Sequence, residues 1–140
     1  MIFIGSDHAG FDLKTAICSY LTTNKIDYVD KGCYSADSVD YPIIAKQVCQ
    51  NIREGDVGIL VCGSGIGMSI ACNRFRHIRG ALCYDVESAV LSRKHNNANV
   101  LVLKGRNQQE ENSLEIVKAF LAEGFEGGRH SRRLQLIDEF

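Results

Sequence analysis

Asp56–Asn73, DVGILVCGSGIGMSIACN, is the stretch from which the fold can be read. Val57–Cys62 is an apolar run of strand length, followed by glycines at alternate positions, Gly63, Gly65 and Gly67. A run of small residues at helical spacing comes next. The stretch reads as a buried strand that delivers Cys62 onto an anion-binding loop and the first turn of a helix. Positions without side chains let backbone N–H groups converge on a small anion, and the helix adds its positive end. Either a phosphate or the oxyanion of a reaction intermediate suits such a loop.

Working outward, Ile2–Ile4 is a short apolar strand, and Leu13, Ile17, Tyr20 and Leu21 recur at helical spacing over Gly10–Thr23. Asp27–Lys31 is a weaker strand and Tyr34–Asp40 a polar loop. Tyr41-Pro42 opens a helix, because Pro suits a first turn, with Ile44, Ala45, Val48, Cys49 and Ile52 as its buried stripe. Then follow a strand over Ile78–Cys83, a helix over Glu87–Arg93 capped by Asp85 or a neighbour, a strand over Asn99–Leu103, and helices over Gln109–Leu121 and Arg129–Phe140. Strand and helix alternate throughout. This predicts a single α/β domain over residues 1–140, a Rossmann-like three-layer sandwich with a five-stranded parallel sheet. Ligands bind such sheets at the carboxyl ends of the strands, where Asp7, His8, Cys62, Ser64, Tyr84, Asp85 and Lys104–Arg106 should gather. The last helix (about 128–140) has little of its own domain left to cover. It is expected to pack on a partner subunit, in a twofold homodimer or a higher assembly.

The chain has 140 residues, 45% of them hydrophobic, enough for one full core. A formal net charge of -1 argues against general nucleic-acid binding. No stretch approaches the roughly eighteen apolar residues of a membrane span, and the opening MIFIGSDHAG is not a signal peptide. A cytoplasmic protein with neither membrane nor nucleic-acid partner is expected. The six cysteines include no CxxC pair and read as reduced, mostly buried thiols, Cys62 excepted. His8, His77, His95 and His130 are dispersed along the chain without zinc-site spacing, so no metal is expected.

Several polar groups can carry chemistry. Asp7-His8 follow the first strand directly. A dinucleotide fingerprint needs G-x-G-x-x-G there, but the chain has G-S-D-H-A-G, and a carboxylate in that turn would repel a pyrophosphate. Gly63-Ser64-Gly65-Ile66-Gly67 lacks the Gly-Lys-Ser/Thr of a Walker A loop. A thiol near a helix N-terminus carries more thiolate than a free one, so Cys62 is a candidate nucleophile or proton-transfer base. Cysteine phosphatases place Arg six positions after Cys; here position 68 is Met. In Ser92-Arg93-Lys94-His95-Asn96-Asn97-Ala98-Asn99, His95 can shuttle protons near neutrality. Arg129 and Arg133 lie four apart on one helical face beside His130, and Arg106 follows the fifth strand; arginine suits bidentate phosphate binding. A solvated basic helix is the plainer alternative for the C-terminal cluster.

Five stretches together resemble the ribose 5-phosphate isomerase B / galactose 6-phosphate isomerase family. They are G5-S-D-H-A-G-F-D-L-K14, D40-Y-P42, C62-G-S-G-I-G-M-S-I-A-C-N73, S92-R-K-H-N-N-A-N99 and G127-G-R-H-S-R-R133. They span nearly the whole chain in order. The resemblance implies reversible isomerisation of D-ribose 5-phosphate to D-ribulose 5-phosphate through ring opening and a cis-enediolate, without metal or organic cofactor. By resemblance Cys62 is the base between C1 and C2, Ser64 lies near the substrate oxygens, and the amides of Gly63, Gly65, Ile66 and Gly67 hold the enediolate. His95 with Asp7 nearby resembles the ring-opening pair, and Asn96 holds a hydroxyl. His8, Arg106, Arg129, His130 and Arg133 resemble phosphate contacts, and Tyr41 matches a further site residue. In the family some of these groups come from the second subunit of a homodimer. Some members carry Ser at the Cys62 position and use a carboxylate instead. Lys104 before Gly105-Arg106, and Arg74 where Lys is frequent, are small departures. The alternatives are an isomerase of a six-carbon sugar phosphate, such as allose or galactose 6-phosphate, a non-catalytic sugar-phosphate-binding module, or a purely structural partner.

Overall fold

The computed structural model describes residues 1–35 and 37–140; Ala36, inside the segment read as a polar loop, lies outside the described residues. The strands are β1 (Ile2–Ser6), β2 (Tyr28–Asp30), β3 (Val57–Cys62), β4 (Gly80–Leu82) and β5 (Val100–Lys104). The helices are α1 (Phe11–Thr23), α2 (Tyr41–Cys49), α3 (Ile66–Cys72), α4 (Val86–Asn96), α5 (Glu110–Ala122) and α6 (Arg129–Asp138). The five strands form one parallel sheet in the order β2–β1–β3–β5–β4.

Side-chain alternation along the central strands divides the core into two layers. Ile59 and Val61 of β3, with Leu101 and Leu103 of β5, meet Leu13, Ile17 and Leu21 of α1 and Ile116 and Phe120 of α5. Leu60 and Cys62, with Val100 and Val102, meet Ile44 and Val48 of α2 and Met68 and Cys72 of α3. Strands buried on both faces read as continuous apolar runs, which is why Val57–Cys62 was so plain in the sequence. The same alternation assigns the Cys62 side chain to the α2/α3 face.

Local signals explain the element ends. Pro42 stands in the first turn of α2. Asp85 caps α4, its carboxylate accepting the Ser88 N–H at 2.7 Å, and that bond holds its pKa below the ordinary carboxylate value. Some bounds differ from expectation. The β4 strand is confined to Gly80–Leu82, and α6 stops at Asp138. Helix α4 continues past Arg93 to Asn96, where Asn97 adopts a left-handed conformation (φ 47) and closes it. His95 and Asn96 therefore belong to a helical turn rather than to the loop beyond it.

Two consequences position the site. From β1 the chain crosses to β2 on one side, and from β3 it crosses to β4 and β5 on the other. The crevice at this switch opens between the carboxyl ends of β1 and β3. Each crossover helix also runs against the strands, so α4 ends at the opposite, amino edge of the sheet. There Asn99 Oδ1 accepts the Arg79 N–H at 2.7 Å and its Nδ2 donates to the His77 carbonyl at 2.9 Å, tying the end of this crossover to the start of β4.

Candidate active site

At the carboxyl edge, Asp7 is buried behind β1. Its N–H donates to the Val61 carbonyl at 3.1 Å, and its Oδ1 accepts the Gly10 N–H at 3.0 Å. His8 Nδ1 accepts the Val39 N–H at 3.3 Å, which places the proton of the neutral ring on Nε2. Cys62, also buried, pairs in register with Lys104, and its carbonyl accepts the Gly105 N–H at 2.8 Å. The loop after it needs glycine twice over. Gly65 has φ 84, and a Cβ there would fall 2.5 Å from Leu82 Cδ1; at Gly67 a Cβ would fall 2.6 Å from Tyr41 Cζ. Tyr41, the first residue of α2, thus lies directly on the loop. Arg106 covers the other side, its N–H donating to the Gly63 carbonyl at 3.1 Å.

Ser64 braces the loop from within. Its Oγ accepts the Ile66 N–H at 3.1 Å, while its carbonyl accepts the Tyr84 hydroxyl at 2.9 Å. Lys104 Nζ stands 4.7 Å from the centroid of the Tyr84 ring. The Ile66 amide is thereby paired within the loop, because a Ser hydroxyl readily bonds an N–H two residues on. The N–H groups of Gly63, Ser64 and Gly65 have no partner among the described residues.

A second group forms at the amino edge. His95, on the last turn of α4, stacks on His130, in the first turn of α6, with ring centroids 4.3 Å apart and 16° between planes. Asn96, Arg129 and Arg133 are exposed beside them. Burial, and next the charge of His95 and Arg129, lowers the His130 pKa below 6.5; Glu126 opposes this and Arg133 adds to it. The folded chain therefore binds fewer protons here than the unfolded chain as pH falls through about 6.5, and stability is lost over that window. In His130→Asn this loss is absent. The wild-type Tm should fall more steeply than the variant's between about pH 7.5 and 5.5. Parallel Tm curves would show that His130 does not titrate differently on folding.

His95 and Asp7 are not neighbours within one chain, because α4 returns to the edge opposite β1's carboxyl end. From the Val100 register to the Lys104 register alone the separation is roughly 13 Å, at about 3.3 Å per residue. Nor are the histidines all dispersed: His95 and His130 touch, and the Glu126 carboxylate joins them. Glu126 was not visible as a site residue, since it lies in a connection without a motif. Its place is set by its N–H, which donates to the Lys94 carbonyl at 3.0 Å. All six cysteines are free and five are buried. Burial pushes the Cys49 and Cys72 thiols up to about 12, leaving them inert at neutral pH.

Residues 2–137 match the family described as Ribose/Galactose Isomerase. The chain belongs to this family. Within the ribose/galactose isomerase family, it is 44% identical over 138 residues to the Escherichia coli protein named ribose-5-phosphate isomerase B, covering 97% of this chain and 93% of that one. Its fold is similar to the crystal structure of a ribose 5-phosphate isomerase from Thermotoga maritima, with a TM-score of 0.97 and 53% identity over 99% of this chain and 97% of that one. It is also similar to a ribose-5-phosphate isomerase B from Mycoplasma genitalium solved with bound ribulose-5-phosphate, with a TM-score of 0.95 and 40% identity over 99% and 93% of the two chains. No helix among the described residues is long and apolar enough to cross a membrane.

Proposed function

We propose that the chain interconverts D-ribose 5-phosphate and D-ribulose 5-phosphate in the cytoplasm, as a homodimer whose two sites each draw on both subunits. One observation carries the reading: the first turn of α6 holds Arg129, His130 and Arg132, with Arg133 next, and no acidic residue. A helix start is the positive end of its dipole and disfavours cations, so this arrangement suits a bound dianion such as a sugar phosphate. The carboxyl-edge group supplies what the phosphate cluster lacks, a thiol beside unpartnered backbone amides. Neither half is sufficient alone. A twofold partner would bring the basic cluster of one subunit to the Cys62 loop of the other. Exposed Ile43, Ile66 and Ile70, on α2 and α3 beside that loop, offer an apolar surface for the contact.

In this arrangement Arg129, His130 and Arg133 of one subunit, with Arg106 and His8 of the other, hold the phosphate. Tyr41 borders the sugar and Asn96 binds a hydroxyl. His95, with Asp7 supplied across the interface, moves the proton that opens the furanose. The Cys62 thiolate then removes the C2 proton, and the electron pair passes to the C1 carbonyl oxygen. The Gly63–Gly67 loop, through the amides of Gly63, Ser64 and Gly65, stabilises the resulting cis-enediolate. Ser64 lies beside its oxygens. The proton then passes from O2 to O1 while the Cys62 thiol returns its proton to C1, which gives the ketose and regenerates the thiolate.

Phosphate recognition is tested by comparing ribose 5-phosphate with unphosphorylated ribose in Arg129→Ala and Arg133→Ala. A bond to a charged partner contributes about 1.5–3 kcal/mol, so kcat/KM for the phosphorylated sugar should fall roughly ten- to a hundredfold in each variant. Activity on ribose should change little. Equal losses on both sugars would remove these arginines from the phosphate site.

A further inference from the structure

We propose that His95, Glu126 and His130 form a binding site for a divalent transition cation of the zinc type, at which the ion competes with the sugar phosphate. The three residues come from separate pieces of chain: the last turn of α4, the connection before α6, and the first turn of α6. Each offers one ligand atom, and these atoms lie within 4.8 Å of one another. A tetrahedral ion with bonds of about 2.0–2.2 Å wants its ligand atoms roughly 3.4 Å apart. Opening the imidazole stack and rotating the exposed Glu126 carboxylate are the adjustments needed to reach that spacing.

The backbone holds the three groups together before any ion arrives. The Glu126 N–H is bonded to the Lys94 carbonyl at 3.0 Å, immediately before His95, and the His130 N–H is bonded to the Gly127 carbonyl at 3.2 Å. Two imidazoles and one carboxylate select a borderline cation over magnesium or calcium, which prefer oxygen ligands throughout. Three protein ligands leave a fourth position for water or an anion. Arg129 and Arg133 flank the cluster and weaken its hold on a bare dication, so a reversible site is expected rather than a structural one. Competition with substrate rests on the proposed use of His95 and His130; binding itself does not.

The test is calorimetric titration of the full chain with Zn2+ alone, for wild type, Glu126→Gln and Cys62→Ala. The site requires one ion per chain in wild type, affinity at least about tenfold weaker in Glu126→Gln, and unchanged affinity in Cys62→Ala. Co2+ should give the visible bands of a tetrahedral nitrogen–oxygen site without a thiolate charge-transfer band. Turnover of metal-free Glu126→Gln should match wild type, with inhibition shifted to about tenfold higher Zn2+. Undiminished affinity in Glu126→Gln, or affinity lost in Cys62→Ala, would overturn the assignment and place the ion elsewhere. Zinc binding with the expected pattern in a chain that fails to isomerise ribose 5-phosphate would leave the metal site standing and remove the isomerase reading.

Discussion

Cys62→Ala should lower kcat for ribose 5-phosphate isomerisation by about two to four orders of magnitude, the range for loss of a positioned general base. KM should change little, because in the proposed mechanism Cys62 acts on the C2 proton only as the bond breaks. The position supports this expectation. Cys62 ends the central strand at the topological switch, is 5% exposed, and directly precedes the loop with unpartnered amides. Removing one sulfur from the α2/α3 layer leaves a small void, so the variant should fold, and its far-UV spectrum and urea midpoint establish that. Cys62→Ser should behave similarly, since a serine hydroxyl is a far weaker acid than a cysteine thiol and does not serve as the base. Turnover within threefold of wild type in a folded Cys62→Ala would assign the proton transfer to another group.

Lys14→Met should destabilise the fold by about 3 kcal/mol, the lower part of the range for breaking a buried ion pair. Lys14 is 2% exposed, though it sits on the apolar stripe of α1 beside Leu13 and Ile17. Its ammonium donates to both Asp30 oxygens, at 2.9 and 2.7 Å, and to the Cys33 carbonyl, with the Phe11 and Tyr34 rings 5.5 and 5.4 Å from it. Methionine fills the volume but leaves the Cys33 carbonyl without its donor and the Asp30 carboxylate with only the Gly32 N–H, at 2.9 Å. Asp30 is 29% exposed, so water recovers part of the loss and holds the effect toward the lower end of the range. The consequence reaches the site, because the Cys33 N–H donates to the Ser6 carbonyl at 2.7 Å, one residue before Asp7. Urea denaturation measures the change. Lys14→Met/Asp30→Asn should recover much of it, since removing both charges leaves no buried ion unpaired. A loss under about 1 kcal/mol in the single variant would mean that the pair contributes little.

The fold was legible because β3 and β5 are continuous apolar runs and because Pro42 and Asp85 mark helix starts. What escaped depends on partners distant in sequence. Lys14 falls inside the helix read over Gly10–Thr23, and its partner Asp30 is 16 positions away on another element. The longer α4 rests on Asn97 taking a left-handed conformation, which a glycine would have advertised and an asparagine does not. The candidate residues were read from motifs, but the motifs do not say that one chain divides them between the two edges of its sheet. Parallel crossovers force α4 to run against the strands, and that direction separates His95 from Asp7 and Cys62. Glu126 carries no motif, and only the fold of the connection brings it to His95 and His130.

The shared site is tested most directly by mixing two inactive variants, Cys62→Ala and His95→Ala, after unfolding and refolding them together. In a mixed dimer one site combines the intact Cys62 of one subunit with the intact His95 of the other, while its twin site carries both defects. Random pairing makes half of the dimers mixed, so about a quarter of wild-type activity should return. No recovery in a refolded mixture shown to contain mixed dimers would place Cys62 and His95 in sites that are not shared.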